Sequence, residues 1–498
     1  MGQQRRSDDL QRQREPQFRC FIFGQYADHK WVRRSQYWRR NRRRRITCGQ
    51  PHLWGTNTLT LTGLNTYTGA TTINNRATLQ LGNGQVNGNI ASTSGITDNG
   101  TLILKESSTG ITLGAAITGS GGVTQNGSVF GANNTLSGTN TYSGATSVNA
   151  GTLTAGSTSA FGGATGNSAV TIAAGASLAL NGFNNTVGSV SGASTNSSIT
   201  LGAGTLTTGG NNATTAFAGV ISGSGGSLTK VGTGTMTLSG TNTYSGATNL
   251  NGGTLSIGAD ANLGAVPGSI GATNLNFNGG TLATTASFAL NASRGIAINA
   301  GGGTISVASG TVLTYGGLIT GTGNLAVPGA GTLNLTGNSL NFGGSATVTS
   351  GELEFSGTLP SIGTLTLGSG STLFLNGSDL SVGNLEITGS AIIDFGSSAS
   401  ILNMTTFTID AGATLTVEDW ANEVNYFYAQ NWTGATLGTR GVGPETLVTF
   451  SGYSSSNTGW LSYDREISPA PEPATYGAIL VGISLLGVVV YRRKRSAA

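Results

Sequence analysis

Three stretches of this 498-residue chain repeat one another nearly letter for letter. They read Gly63-Leu64-Asn65-Thr66-Tyr67-Thr68-Gly69-Ala70-Thr71, Gly138-Thr139-Asn140-Thr141-Tyr142-Ser143-Gly144-Ala145-Thr146 and Gly240-Thr241-Asn242-Thr243-Tyr244-Ser245-Gly246-Ala247-Thr248. Each follows a Thr/Leu strand pattern and leads into another: ATLQLG, GTLTAG and GTLSIG. The tyrosines lie 75 and then 102 residues apart, close to three and four units of about 25. A more worn copy, Gly331-Thr332-Leu333-Asn334-Leu335-Thr336-Gly337, is followed by Gly351-Glu352-Leu353-Glu354-Phe355. A recurring unit of this size belongs to stacked arrays, in which each unit buries its apolar face only against its neighbours.

The intervening sequence restricts what that unit can be. Glycine takes 82 positions and charged residues only 9%, so the helix formers that an α/β enzyme needs are missing. Hydrophobic residues make up 37% and proline only 9 positions, which argues against disorder. The glycines follow no three-residue period, which excludes collagen. Gly-Thr-Leu openings at Gly151, Gly204, Gly253, Gly280, Gly357 and Gly363 begin short strands. Alternating pairs such as Leu365/Leu367, Leu373/Leu375 and Leu415/Val417 give each strand one buried and one wet face. Asn and Gly between them suit sharp corners. Such spacing fits a sandwich or a solenoid, but sandwiches in tandem need linkers, and no composition break occurs between residues 55 and 400. The expected fold is all-β: a right-handed parallel β-helix over residues 53–418, with some 15 coils of about 22–25 residues each. Aromatics gather after Asp419 (Trp420, Tyr426, Phe427, Tyr428, Trp432, Trp460), so residues 419–467 read as a β cap, with an aromatic carbohydrate-binding surface as the alternative.

The repeated Leu-Thr-x-x-Gly-x-Asn-Thr-Tyr-Ser-Gly-Ala-Thr … Gly-Gly-Thr-Leu pattern resembles the autotransporter-associated β-strand repeat, or passenger-associated transport repeat. The likeness is best at residues 59–84, 133–157 and 228–258. It implies a secreted β-helical passenger of a surface protein, with no catalytic residues in the repeat. Autotransporters end in an outer-membrane barrel, whereas the end of this chain reads as a helix, so self-translocation is not expected.

Residues 468–498 carry a second resemblance. Pro471-Glu472-Pro473 precedes Ala474 to Tyr491, 18 residues without a charge, and Arg492-Arg493-Lys494-Arg495 follow. As a helix, 474–491 spans about 27 Å, enough for a bilayer core, with the basic cluster held on the cytoplasmic side. A single C-terminal transmembrane helix is therefore expected. The order of tripeptide, apolar run and basic end resembles the PEP-CTERM sorting signal. That resemblance implies recognition of Pro471, Glu472 and Pro473 by an exosortase-type membrane transpeptidase. The body would lie on the periplasmic side and pass to the cell surface or extracellular matrix after sorting; a permanent anchor with a Pro-rich stalk is the alternative.

The N-terminus is at odds with this. Residues 1–50 hold 14 Lys+Arg against 4 Asp+Glu, while residues 51–491 hold 6 against 16. Both cysteines (Cys20, Cys48) and both histidines (His29, His52) lie in the first 52 residues, and the longest apolar run there, Cys20 to Phe23, is too short for a signal peptide. Residues 1–52 are read as a frame-shifted or otherwise non-native start, with a genuine basic tail or an unusual export route as alternatives. The acidic body argues against a nucleic-acid partner.

Little chemistry remains. Without thiol or imidazole beyond His52, a Cys nucleophile, a Ser-His-Asp triad and a His/Cys metal site are ruled out for most of the chain. No catalytic residue, metal or cofactor is assigned. Glu352 and Glu354, at i and i+2 on one strand face, are the one close carboxylate pair and read as solvated charges before a glycosidase pair. Tyr67, Tyr142 and Tyr244 read as corner plugs before a sugar-stacking row. The expected function is a non-enzymatic structural or adhesive surface protein with the cell envelope or exopolysaccharide matrix as its partner. The alternative is a polysaccharide-binding or polysaccharide-degrading β-helix.

Overall fold

A computed structural model describes residues 20–23, 51–56, 58–107, 109–127, 132–162, 168–336, 340–356, 362–421, 424–433, 447–453, 458–461 and 466–469. They fall into two compact units, one of residues 1–192 with 196–200, the other of 193–195 with 201–498.

In the first unit the alternation of the sequence becomes the wall of a coil. In Thr78–Leu81 the two leucines are fully buried and Thr78 and Gln80 face outward. This strand pairs in parallel with Thr58–Leu61 on one side and Thr101–Leu104 on the other. The same sheet continues through Gly122–Asn126, Thr146–Ala150, Ala169–Ile172 and Ser189–Ser191. A second parallel sheet runs through Pro51–Trp54, Thr71–Ile73, Ile96–Asp98 and Ile117–Thr118, with Cys20–Phe23 paired to Pro51–Trp54. A third runs from Thr112–Leu113 through Asn133–Leu136, Thr152–Ala155 and Ser177–Ala179 to Ser198–Thr200. Parallel neighbours need a long crossover, and here the crossover is the remainder of the coil itself.

The second unit is built the same way. One sheet runs in parallel from Thr215–Phe217 to Tyr426–Thr433 and is then closed by two antiparallel strands, Glu466–Pro469 and Thr458–Leu461. Another runs from Phe288–Leu290 to Val448–Phe450. Its interior is a ladder in strict register: Leu313, Leu333, Leu353, Leu373, Ile393, Val417 and Phe450, all buried. Rungs about 4.8 Å apart place each apolar side chain on an equal above and below. Burial of each such side chain stabilises by roughly 1.5–3 kcal/mol.

Both units are parallel β-solenoids, but two expectations need correction. The first is the C-terminal transmembrane helix. The helical element among the described residues is a single 3-10 turn, Asp260–Leu263, and no helix there is long and apolar enough to cross a membrane. Residues 474–491 themselves lie outside the described residues. The expectation rests on the apolar length of the run alone, and length does not fix conformation. The second is the coil length. A coil takes 19 residues where Ser345 meets Thr364 and 27 where Thr254 meets Thr281, because corners absorb insertions that strands cannot.

Candidate functional site

The repeated motif folds as a corner. In the second copy the chain leaves Asn133–Leu136, turns through Asn140 and Tyr142, and returns as Thr146–Ala150. Tyr142 is fully buried, its hydroxyl 2.7 Å from Thr146 Oγ1. The third copy repeats this with Tyr244 and Thr248 at 2.6 Å, and the first with Tyr67 and Thr71 at 2.9 Å. Burial pushes the Tyr244 phenol up to about 12 and raises those of Tyr142 and Tyr67 as well. Gly162, with φ +72°, lies against the Tyr142 ring, where a Cβ would come within 3.0 Å of Cε2. Tyr142 and Tyr244 are therefore interior plugs and offer no stacking surface to a sugar.

The asparagine two residues earlier ties coils together. Asn140 Oδ1 accepts from Ile117 N–H at 2.8 Å in the preceding coil, and its Nδ2 donates to the Ala160 carbonyl at 2.7 Å in the following one. Asn242 does the same with Ile221 N–H at 2.8 Å and the Asn262 carbonyl at 2.6 Å. One side chain thus spans three coils. The residues that define the motif are spent on folding.

A buried ionic clamp in the second unit was missed in the sequence. Arg294 is fully buried; its Nε donates to Asp260 Oδ1 at 2.7 Å and Nη2 to Oδ2 at 3.1 Å. The remaining donors reach the carbonyls of Leu263 at 3.2 Å and Gly264 at 2.7 Å and Asn274 Oδ1 at 3.0 Å. A planar fork satisfied on every side suits arginine and not lysine. The available signal was its isolation: no other Lys or Arg lies between Lys230 and Arg440.

On the outside of the second unit the chemistry is acidic and sparse. Glu352 and Glu354 share the outer face of Gly351–Phe355. Burial raises the Glu352 carboxyl, helped by the charges of Glu354 and Asp394, while Thr332 Oγ1 donates to it at 3.3 Å. Asn376 Nδ2 donates to Glu354 Oε1 at 3.1 Å. Glu354, Phe374, Asp394 and Glu418 stand in one register column. Glu352 stands in the neighbouring column with Thr332, Thr372 and Ile392, so each glutamate belongs to an extended column of outward residues.

The aromatics after Asp419 divide in two. Trp420 and Phe427 are buried; Trp420 meets Phe395 and Phe450 edge to face at 5.3 and 5.2 Å. Tyr426 and Tyr428 lie half-buried on the outer face, stacked at 5.6 Å. Among the described residues no group of three or more His, Cys, Asp or Glu could hold a metal ion. Pro471, Glu472 and Pro473, and Arg492, Arg493, Lys494 and Arg495, lie outside the described residues.

Comparison with known proteins places the motif. Residues 54–81, 135–155, 228–257 and 329–355 match the passenger-associated-transport-repeat family, so the chain carries autotransporter-associated repeats, the worn copy included. The chain is also similar to the adhesin BmaC autotransporter of Brucella suis biovar 1 (strain 1330), with 36% identity over 163 residues. That alignment covers 33% of this chain and 4% of the adhesin, so the chain spans a small part of the length of that relative. No solved structure matches.

Proposed function

We propose that this chain is an exported surface protein whose solenoid serves as a non-enzymatic adhesive stalk. The observation that carries the reading is the repeat itself: four copies match a passenger repeat, and the similar relative is by name an adhesin. It is supported by the division of labour in the motif, where Asn and Tyr are consumed inside the corner and the outer faces remain for contact. The matching experiment displays the full chain on a non-adherent bacterium and counts attachment to host-cell, matrix-protein and polysaccharide surfaces. Attachment above the empty display strain, with no release of reducing sugar from the polysaccharides, is expected. Sugar release would overturn the reading in favour of an enzyme.

Polysaccharide binding is a second reading, favoured by Tyr426 and Tyr428 on the outer face beside Asn403, the register partner of Tyr428. If it holds, Tyr426→Ala with Tyr428→Ala removes glycan retention and leaves attachment to protein surfaces intact. A finer proposal concerns sorting: exosortase-type recognition of Pro471-Glu472-Pro473 rests on the resemblance of these residues. Mass spectrometry of the mature C-terminus in the native host tests it, since an end near Pro473 is expected and an intact Ala498 contradicts it.

A further inference from the structure

The coils that residues 51–200 contribute to the first unit are almost free of charge. Residues 51–200 contain two acids, Asp98 and Glu106, and two permanent cations, Arg76 and Lys105, with His52 the one imidazole. Both acids are fully buried. Asp98 ends the strand Ile96–Asp98 with its side chain turned inward, where Oδ1 accepts from Gly100 N–H at 2.9 Å and Oδ2 has no hydrogen-bond partner. Glu106 follows Thr101–Leu104; its Oε2 accepts from Gly88 N–H at 2.9 Å and Oε1 has none.

Among the described residues no cation is paired with either group. Packed round Asp98 are the strand Thr71–Ile73, the Gly119–Gly121 turn and the Tyr142 corner, and the titratable group they bring is the Tyr142 phenol. Arg76 stands exposed on the turn after Ile73. Glu106 is enclosed by the Gly82–Gly88 turn, with Lys105 beside it in sequence and the Lys105 stem against Gly84. The ion pair among the described residues is Arg294–Asp260, in the other unit. A buried carboxylate without a counter-charge is costly, whereas the neutral acid fits.

We propose that the first unit is held closed by Asp98 and Glu106 as neutral acids and loosens when they ionise, making it a module that relaxes as its surroundings pass from acidic to mildly alkaline. Burial lifts Asp98 to about 6 and Glu106 to about 7. In the opened unit both return to the ordinary carboxylate range near 4. The folded pKa values lie above the unfolded ones, so the stabilisation is complete below about pH 4. It is lost as pH rises through 6 and 7, because the opened state then gives up protons that the closed state retains. At the limit each carboxyl changes the opening equilibrium about 100-fold.

Hydrogen exchange of the full chain, followed by mass spectrometry at pH 5 and pH 8 and corrected for intrinsic exchange, reads this directly. Amides of Ile96–Asp98, Thr101–Leu104 and Gly122–Asn126 are expected to lose at least tenfold in protection between the two pH values. Those of Leu325–Val327 in the second unit serve as the internal reference. Asp98→Asn with Glu106→Gln should hold protection constant across the range, and His52→Gln should leave the wild-type loss in place. If the double variant does not fold, each single variant is expected to remove part of the loss. A flat wild-type profile, an undiminished loss in the folded variants, or abolition of the loss by His52→Gln alone overturns the proposal.

Discussion

Asn140 and Asn242 show how much a single side chain carries in coils that hold no cysteine beyond Cys48. Each satisfies a backbone donor in one coil and a backbone acceptor in another, both buried. Asn140→Ala removes both partners and leaves Ile117 N–H and the Ala160 carbonyl unpaired in the interior. At about 1–3 kcal/mol for each orphaned group, the variant should lose roughly 2–5 kcal/mol, read as a lower urea midpoint. Ser143→Ala, one residue beyond the buried tyrosine, should change the stability by less than about 0.5 kcal/mol. The motif and its corner were legible in the letters, but the use of its asparagine was not. The sequence suggested a residue for left-handed turns, and Asn181, Asn212 and Asn376 do take positive φ. Asn140 and Asn242 instead point inward as ties. The two uses require the same side chain, and only the third dimension separates them.

At the scale of the element, strands were readable and corners were not. Period-2 alternation in Thr332–Leu335 or Thr414–Glu418 names the buried face directly, because pleating turns every second residue inward. Corners obey no period. The coil that follows Thr254–Ile257 departs through the 3-10 turn Asp260–Leu263, and Asp260 meets Arg294, 34 residues further on, too distant for any local pattern to pair them. Arg294→Met leaves the Leu263 and Gly264 carbonyls without donors and Asp260 without its partner. Such a loss in a buried network costs about 3–5 kcal/mol. Arg294→Lys should recover only a minor part, since one ammonium cannot reach along the fork. Limited proteolysis at Asp260 to Ile270, together with thermal unfolding, checks both: cleavage there should accelerate in Arg294→Met and remain fast in Arg294→Lys.

For the whole molecule, the repeat predicted the stack correctly because nearest-neighbour contacts define it, and a chain that repeats in sequence can repeat in register. The C-terminal helix was read less well. An apolar run was taken as a helix from its length, which does not fix conformation. The same modularity makes a sharp expectation in the second unit. Thr364 pairs with Asn384, so deletion of residues 364–383 removes one coil and restores register. That variant should keep its β circular-dichroism spectrum and unfold with a modestly smaller denaturant slope. Deletion of residues 364–373 removes half a coil, sets buried Leu385 and Ile387 out of phase with the ladder, and should give no cooperative transition.

The hydrogen bonds that join coil to coil point along the stacking direction of each unit. A tether pulled that way would load one seam at a time, so the solenoid should pay out length coil by coil, like a zipper, before any catastrophic failure. Asn140 and Asn242 bridge the seams on both sides of them and act as rivets in that zipper. For a chain with the adhesive role proposed above, such yielding would convert a sudden tug on the attached surface into gradual extension.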